Sequence, residues 1–282
     1  MRGEVDLHIH STASDGEYTP TQLVQMALER GLSVISITDH DTTAGVDEAL
    51  RAAKGTGLEV IPGIELSVDI PHREVHLLGY YIDHHSPVLQ ERLSLLRHSR
   101  EERAKGILEK LAVLGLALRW ERVVELAGEG SIGRPHIAQA MVEQGHVATP
   151  KEAFDLYIGR EGPAYVERYK MGPLDVVHLI DEAKGLAVLA HPIEVVDLLP
   201  LLVEGGLAGL EVYYGNYSPE EMDSLASLAR KYDLIPTGGS DFHGPSVMAT
   251  VEIGDVQVPW ESVRWLKELA RAKRDAAKSA GM

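Results

Sequence analysis

The chain has 282 residues, 44% of them hydrophobic, with a formal net charge of -16 and no cysteine. That length suits one large α/β barrel or two ordinary domains, and the apolar share supports a sizeable core. The acidic balance argues against long nucleic acid held by counterion release, and the lack of cysteine removes disulfides, thiolate nucleophiles and Cys-type zinc sites.

In chain order, residues 4–9 form an apolar run read as a first strand, running into His8-Ile9-His10. A strand sends alternate side chains to one face, so His8 and His10 can address one point. No signal-peptide pattern precedes this strand, and no apolar run reaches the roughly 20 residues of a membrane helix, so a cytoplasmic protein without a membrane partner is expected. Thr19 can cap a helix with Pro20 at its first position and Gln22 reaching back as a capping box. Leu23, Val24, Ala27 and Leu28 supply its apolar face, and Gly31 its stop. Residues 33–38 are the next strand, 46–53 a helix, 59–65 the third strand and 75–82 the fourth.

The texture then changes. From residue 87 to about 168 the pattern is helical and charged, with breaks at Gly115, Gly128-Glu129-Gly130 and Thr149-Pro150. Between Glu91 and Arg122, eight Lys or Arg face five acids, a local charge of +3 in an acidic protein. Such an island suits a small anionic ligand better than a polymer. Strand–helix alternation resumes with strands at 186–190, 209–213, 234–239 and 250–253, and an amphipathic helix closes the chain over 260–278. This rhythm predicts an α/β fold: a mostly parallel barrel formed by residues 1–84 and 169–282, with a helical insertion, residues 85–168, after the fourth strand.

In such barrels active residues lie at the C-terminal ends of strands. His8 and His10 end the first strand, Asp15 follows in the next loop, His40 follows the second strand and Glu65 closes the third. His76 lies in the fourth strand, His191 follows the run to Ala190, and Asp241 with His243 follows Gly239. One histidine near a strand end is as readily a core residue as a ligand, but nine O and N donors at equivalent places are hard to explain by packing. Imidazole and carboxylate without thiolate suit Mn, Fe or Zn.

The motifs His8-Ile9-His10-Ser11, Thr38-Asp39-His40-Asp41, the lone His76 and Ser240-Asp241-Phe242-His243 resemble those of the PHP (polymerase and histidinol phosphatase) family. Within it the chain is similar to stand-alone phosphoesterases acting on nucleoside 3',5'-bisphosphates and short 5'-phosphorylated oligonucleotides. The Asp39-His40-Asp41-Thr42 run, the insertion and Gly133-Arg134-Pro135-His136 carry that finer likeness. The resemblance implies a distorted (β/α)7 TIM-like barrel with two or three divalent ions, manganese first, iron or zinc as alternatives. It implies that His8, His10, Glu65 and Asp241 hold one ion; that a bridging Glu65 shares a second with His76 and His191; and that Asp15, His40 and His243 hold the third. Catalysis would then fall to Asp15, His40, Glu65, Asp241 and His243 through metal-activated hydroxide.

Arg100 and Arg103 are three apart on a predicted helix and share a face. Arg134 begins another, whose N-terminus favours anions. The resemblance sets these three, joined by His136, around the substrate's second phosphate; a solvated helix face or a structural ion pair is the plainer alternative. Arg97 and the histidines at 72, 84, 85, 98, 146 and 178 read as solvent-facing or supporting groups. Tyr213-Tyr214 lines the pocket or packs in the core. Asp39 and Asp41 are expected to orient ligating rings, and Gly238-Gly239 to allow close backbone approach. The rivals are a histidinol phosphatase, which needs one phosphate site, and a non-catalytic metal-dependent nucleotide-binding or proofreading module. Oligomeric state stays open.

Overall fold

The computed structural model describes residues 4–70, 73–128, 130–167, 171–247 and 251–280. Seven strands form one sheet in chain order: β1 (Val5–Ile9), β2 (Val34–Ile37), β3 (Glu59–Ile70), β4 (Arg73–Tyr80), β5 (Leu186–Ala190), β6 (Gly209–Tyr214) and β7 (Ile235–Gly239). The backbone N–H of Asp241 donates to His8 O (2.8 Å) and that of His10 to Phe242 O (3.0 Å), so β7 comes back to β1 and nearly closes a barrel. Helix α1 (Pro20–Glu29) follows β1 and begins at the expected Thr19–Gln22 capping box; α2 (Val46–Ala53) follows β2.

One strand runs against the expected rhythm. β3 continues five residues past Glu65, and β4 pairs antiparallel with both β3 and β5, while every other neighbouring pair is parallel. The reason is chain length. A parallel return needs a crossover of roughly a dozen residues, and β3 and β4 are two residues apart. His76 therefore reaches the mouth of the barrel from the early part of β4, paired opposite Ser67 and Ala190. Of the last expected strand, residues 251–253 are irregular and turn at Gly254 (φ 77°), while residue 250 lies outside the described residues. Here the burial of Ile253 among Leu32 and Ile35 mimics a strand signal without any ladder.

Between β4 and β5 lie α3 (Pro87–Val113), α4 (Trp120–Ala127), α5 (Arg134–Glu143), α6 (Pro150–Ala153) running into a π-helical turn (Phe154–Ile158), and α7 (Pro173–Glu182). Helix α8 (Leu199–Glu204) precedes β6, α9 (Pro219–Lys231) precedes β7, and α10 (Trp260–Ala280) ends the described chain. The long α3 belongs to two cores. Leu89, Leu93 and Leu96 pack with β3, β4 and α7, while Ile107, Leu108 and Leu111 pack with Val123, Ile137 and Met141 in a separate cluster of the helical segment. A third cluster joins Leu7, Val34, Ile61, Leu78 and Val188 to Val263 and Leu266 of α10.

Candidate metal centre

The alternation of β1 brings the Nε2 atoms of His8 and His10 to 3.1 Å from each other. Glu65 Oε2 is 3.3 Å from the first and 3.1 Å from the second. Asp241 Oδ1 repeats those two distances, 3.3 and 3.1 Å. Five of the six edges of this four-atom figure are thus known, and a tetrahedron with ligand bonds of about 2.1 Å has edges of about 3.4 Å. The four donors point at a common centre.

Glu65 divides its two oxygens. Oε1 is 2.8 Å from His76 Nδ1 and 3.3 Å from His191 Nε2, while Oε2 also lies 3.1 Å from His40 Nδ1. Asp15 stands across from it, Oδ1 3.5 Å from His243 Nε2 and 3.8 Å from His10 Nδ1, and Oδ2 3.9 Å from His40 Nε2. All nine expected donors converge, in three overlapping groups: His8, Glu65, His191 and Asp241; His40, Glu65 and His76; His10, Asp15, His40 and His243. Two backbones bend sharply to do this, with His191 at φ 44° and Asp241 at φ 55°, a left-handed region uncommon outside glycine.

Glu65 Oε2, Asp241 Oδ1, Asp15 Oδ1 and the Nδ1 atoms of His10, His40 and His191 are buried and satisfy no hydrogen bond. Orphaned polar atoms in this number are costly unless a cation is their partner. Burial pushes the carboxyls of Asp15, Glu65 and Asp241 up, but the imidazoles around them, led by His40 for the first two and His8 for the third, hold all three well below the usual carboxylate range. Burial takes His40 down to about 3 against the pull of Glu65 and Asp15. Three carboxylates and six imidazoles around one focus match a multinuclear site for divalent ions.

The PHP domain pattern matches residues 6–158. The chain belongs to the PHP family. A 5'-3' exoribonuclease from Haemophilus influenzae is 35% identical over 252 residues, covering 87% of this chain and 92% of that protein. A 3',5'-nucleoside bisphosphate phosphatase from Chromobacterium violaceum is 34% identical, covering 86% and 87%. A phosphoribosyl 1,2-cyclic phosphate 1,2-diphosphodiesterase from Eggerthella lenta is 33% identical, covering 85% and 94%. A solved structure from Bifidobacterium adolescentis, assigned as a metal-dependent phosphoesterase, superposes with a TM-score of 0.85 at 31% identity over 93% of this chain and 94% of that one. This PHP protein is accordingly a metal-dependent hydrolase of phosphate esters, and the family implies divalent ions at the donor cluster just described.

Sequence reasoning overlooked Glu211 of β6. Its Oε1 accepts from His8 Nδ1 (2.8 Å), and its Oε2 accepts from the backbone N–H of His191 (2.9 Å) and lies 3.3 Å from His191 Nδ1. An ionised carboxylate only accepts, so His8 carries its proton on Nδ1 and turns Nε2 toward the centre. The signal was an acid inside the apolar run Gly209-Leu210-Glu211-Val212-Tyr213, fully buried in the fold. Tyr214, not Tyr213, reaches the centre, its hydroxyl donating to Asp241 Oδ2 at 3.0 Å.

The expected ring-orienting role of Asp39 and Asp41 is corrected. Asp39 accepts from Ser11 N–H, Ser11 Oγ and Ser14 Oγ, each at 2.7 Å, and so secures the turn leading to Asp15. Asp41 (φ 53°) accepts from Ser67 N–H at 3.0 Å and from Arg100 Nε at 2.6 Å. The hydrogen bonds of Asp39 thus go to one N–H and two hydroxyls, and those of Asp41 to an N–H and a guanidinium.

A cavity opens beside Asp15, His40 and His76, and Arg100, Arg103 and Arg134 line its other side. Arg100 also donates to Ser67 Oγ (3.1 Å); Arg103 donates to Val166 O (2.7 Å) and covers Tyr165; the guanidinium of Arg134, first residue of α5, lies 5.3 Å from the Phe154 ring centre. His136, in the first turn of the same helix, also has a local partner. Its Nδ1 accepts the Gly133 N–H at 3.0 Å, closing the N-terminus of α5. His72 lies outside the described residues.

Proposed function

We propose that the chain hydrolyses a phosphate monoester of a nucleoside 3',5'-bisphosphate such as pAp, with 5'-phosphorylated short oligonucleotides as a close variant. The observation that carries this reading is the shared cavity: Asp15, His40 and His76 of the donor cluster line it together with Arg100, Arg103 and Arg134. A single-phosphate ester leaves those arginines without work, which disfavours histidinol phosphate. The names of the exoribonuclease and bisphosphate phosphatase relatives support nucleotide substrates; the cyclic-phosphate relative favours a different phosphate ester.

In this reading the nine donors hold up to three ions, manganese first, and residues 85–168 act as a substrate lid on a barrel of residues 1–84 and 169–282. Bound divalent ions would supply Lewis-acid charge and lower the pKa of a water at the centre. The chain's own residues do the rest. Glu211 and Tyr214 orient His8 and Asp241, and Asp39 steadies the Asp15 turn. Arg100, held by Asp41, presents its guanidinium beside Arg103, a geometry suited to a phosphate oxygen pair. Arg134 adds charge at a helix N-terminus. The substrate is small, no membrane partner is invoked, and the setting is the cytoplasm; among the described residues no helix is long and apolar enough to cross a membrane.

Side-by-side turnover of pAp, histidinol phosphate and a 5'-phosphorylated RNA dinucleotide by the manganese-loaded protein is the test. Preference for either nucleotide supports the proposal. Preference for histidinol phosphate, or nucleotide binding without phosphate release, overturns it in favour of a histidinol phosphatase or a non-catalytic sensor.

A further inference from the structure

Another set of metal-type donors lies away from the barrel mouth. Asp47 stands in the first turn of α2, and His84 and His85 lie between β4 and α3. His84 Nε2 is 3.0 Å and His85 Nε2 3.4 Å from the same oxygen, Asp47 Oδ1. The two rings lie 4.2 Å apart, tilted by 40°. His84 and His85 lie in a turn closed by the Ser86 N–H donating to Asp83 O at 2.9 Å, and that path brings both nitrogens to one oxygen. That path is held in place. Thr43 Oγ1 donates to His84 O at 3.3 Å, and the Gln90 amide donates to the same carbonyl at 2.6 Å and to Thr43 Oγ1 at 2.8 Å.

Spacings of 3.0 and 3.4 Å from Asp47 Oδ1 lie near the edge of about 3.4 Å expected for tetrahedral zinc, and all three ligand atoms lie within 4.8 Å of one another. Two imidazoles and one carboxylate select a transition ion over magnesium or calcium. The remaining position faces a recess lined by Thr42, Gln90 and Arg97, where water has room. His85 is 69% exposed and Asp47 47%, so an ion arrives directly from solvent.

We propose that Asp47, His84 and His85 form a peripheral divalent-metal site, suited to zinc, that ties α2 to the root of α3. Its place gives it a consequence. Pro87, the first residue of α3, is two positions beyond His85, and the same helix carries Arg100 and Arg103 into the cavity. An ion here steadies the base of the helix that spans barrel and insertion.

The experiment titrates zinc into manganese-loaded full-length protein, comparing wild type, His85→Ala and Asp47→Asn, with a chelator of micromolar affinity as competitor. The expected result is one more zinc per chain in wild type than in either variant, a zinc-dependent rise in Tm absent from both, and a zinc-edge anomalous peak between the three side chains in soaked crystals. Equal zinc counts in the three proteins, or a site that fills only at millimolar zinc, overturns the proposal. His85 is exposed and remote from the catalytic donors, so His85→Ala keeps its manganese-dependent activity before zinc is added; a loss there also counts against a separate site.

Discussion

At the barrel mouth, β1 to β5 and β7 or the turns after them deliver the nine donors, and β6 delivers the Glu211 brace. Across the cavity, Arg100, Arg103 and Arg134 come from α3 and α5, whose packing around Ile107, Leu111, Ile137 and Met141 is separate from the barrel cores. The first wall is cross-linked by a sheet whose register leaves each donor little freedom. The second is set by helices with a hydrophobic cluster of their own. The contrast divides the cavity into a sheet-borne wall of candidate metal donors and a helix-borne wall of arginines, and on the proposed function each mutation below tests one side of that division.

The largest effect is expected from Glu65→Gln, which disturbs the carboxylate shared by five imidazoles. Loss of several kcal/mol of charge stabilisation predicts a fall in kcat of about 10³-fold or more. Metal analysis should show a matching loss of ions; wild-type turnover would break the comparison at its root. Asp15→Asn should cost about 10²-fold in activity. Tm without metal should fall only modestly by comparison, the ionised carboxylate being a net contributor to the fold at neutral pH. A collapse of Tm with intact activity per folded molecule would make Asp15 structural.

Glu211→Gln tests the brace. Supporting carboxylates of this kind are worth about 10–100-fold in metal affinity, so activity should fall at limiting manganese and recover at excess. Failure to recover would assign Glu211 a more direct part. Arg134→Ala probes the other wall. Losing one charged contact of about 1.5–3 kcal/mol should raise KM for pAp about tenfold to hundredfold while sparing an aryl phosphate. Equal losses on both substrates would return Arg134 to a structural role.

The smallest effect is on pH. Burial pushes His10 down, but hydrogen bonds and charge from Asp241 and Glu65 outweigh it and raise the imidazole to about 10 in the metal-free protein. Below that value His10 holds a proton that an ion must displace, so apparent metal affinity should rise with pH through neutrality and weaken on acidification. Calorimetry in two buffers of different ionisation heat would count the released protons. Binding with no proton release contradicts a ligating His10.

The sequence alone was enough to pick out the nine side chains that the fold brings together, since strand periodicity and strand-end chemistry are local properties. His8-Ile9-His10 and Asp241-Phe242-His243 are readable before any fold is known. It was also enough for the Thr19 cap and for the helical texture between β4 and β5. Tertiary structure alone decided the reversal of β4, because two linking residues cannot cross over. It likewise gave Glu211 its imidazole partners, turned Asp41 toward Arg100, and set His136 Nδ1 against the Gly133 N–H. Those outcomes depend on which distant N–H or ring comes within hydrogen-bond reach, and a chain's own order does not contain that distance.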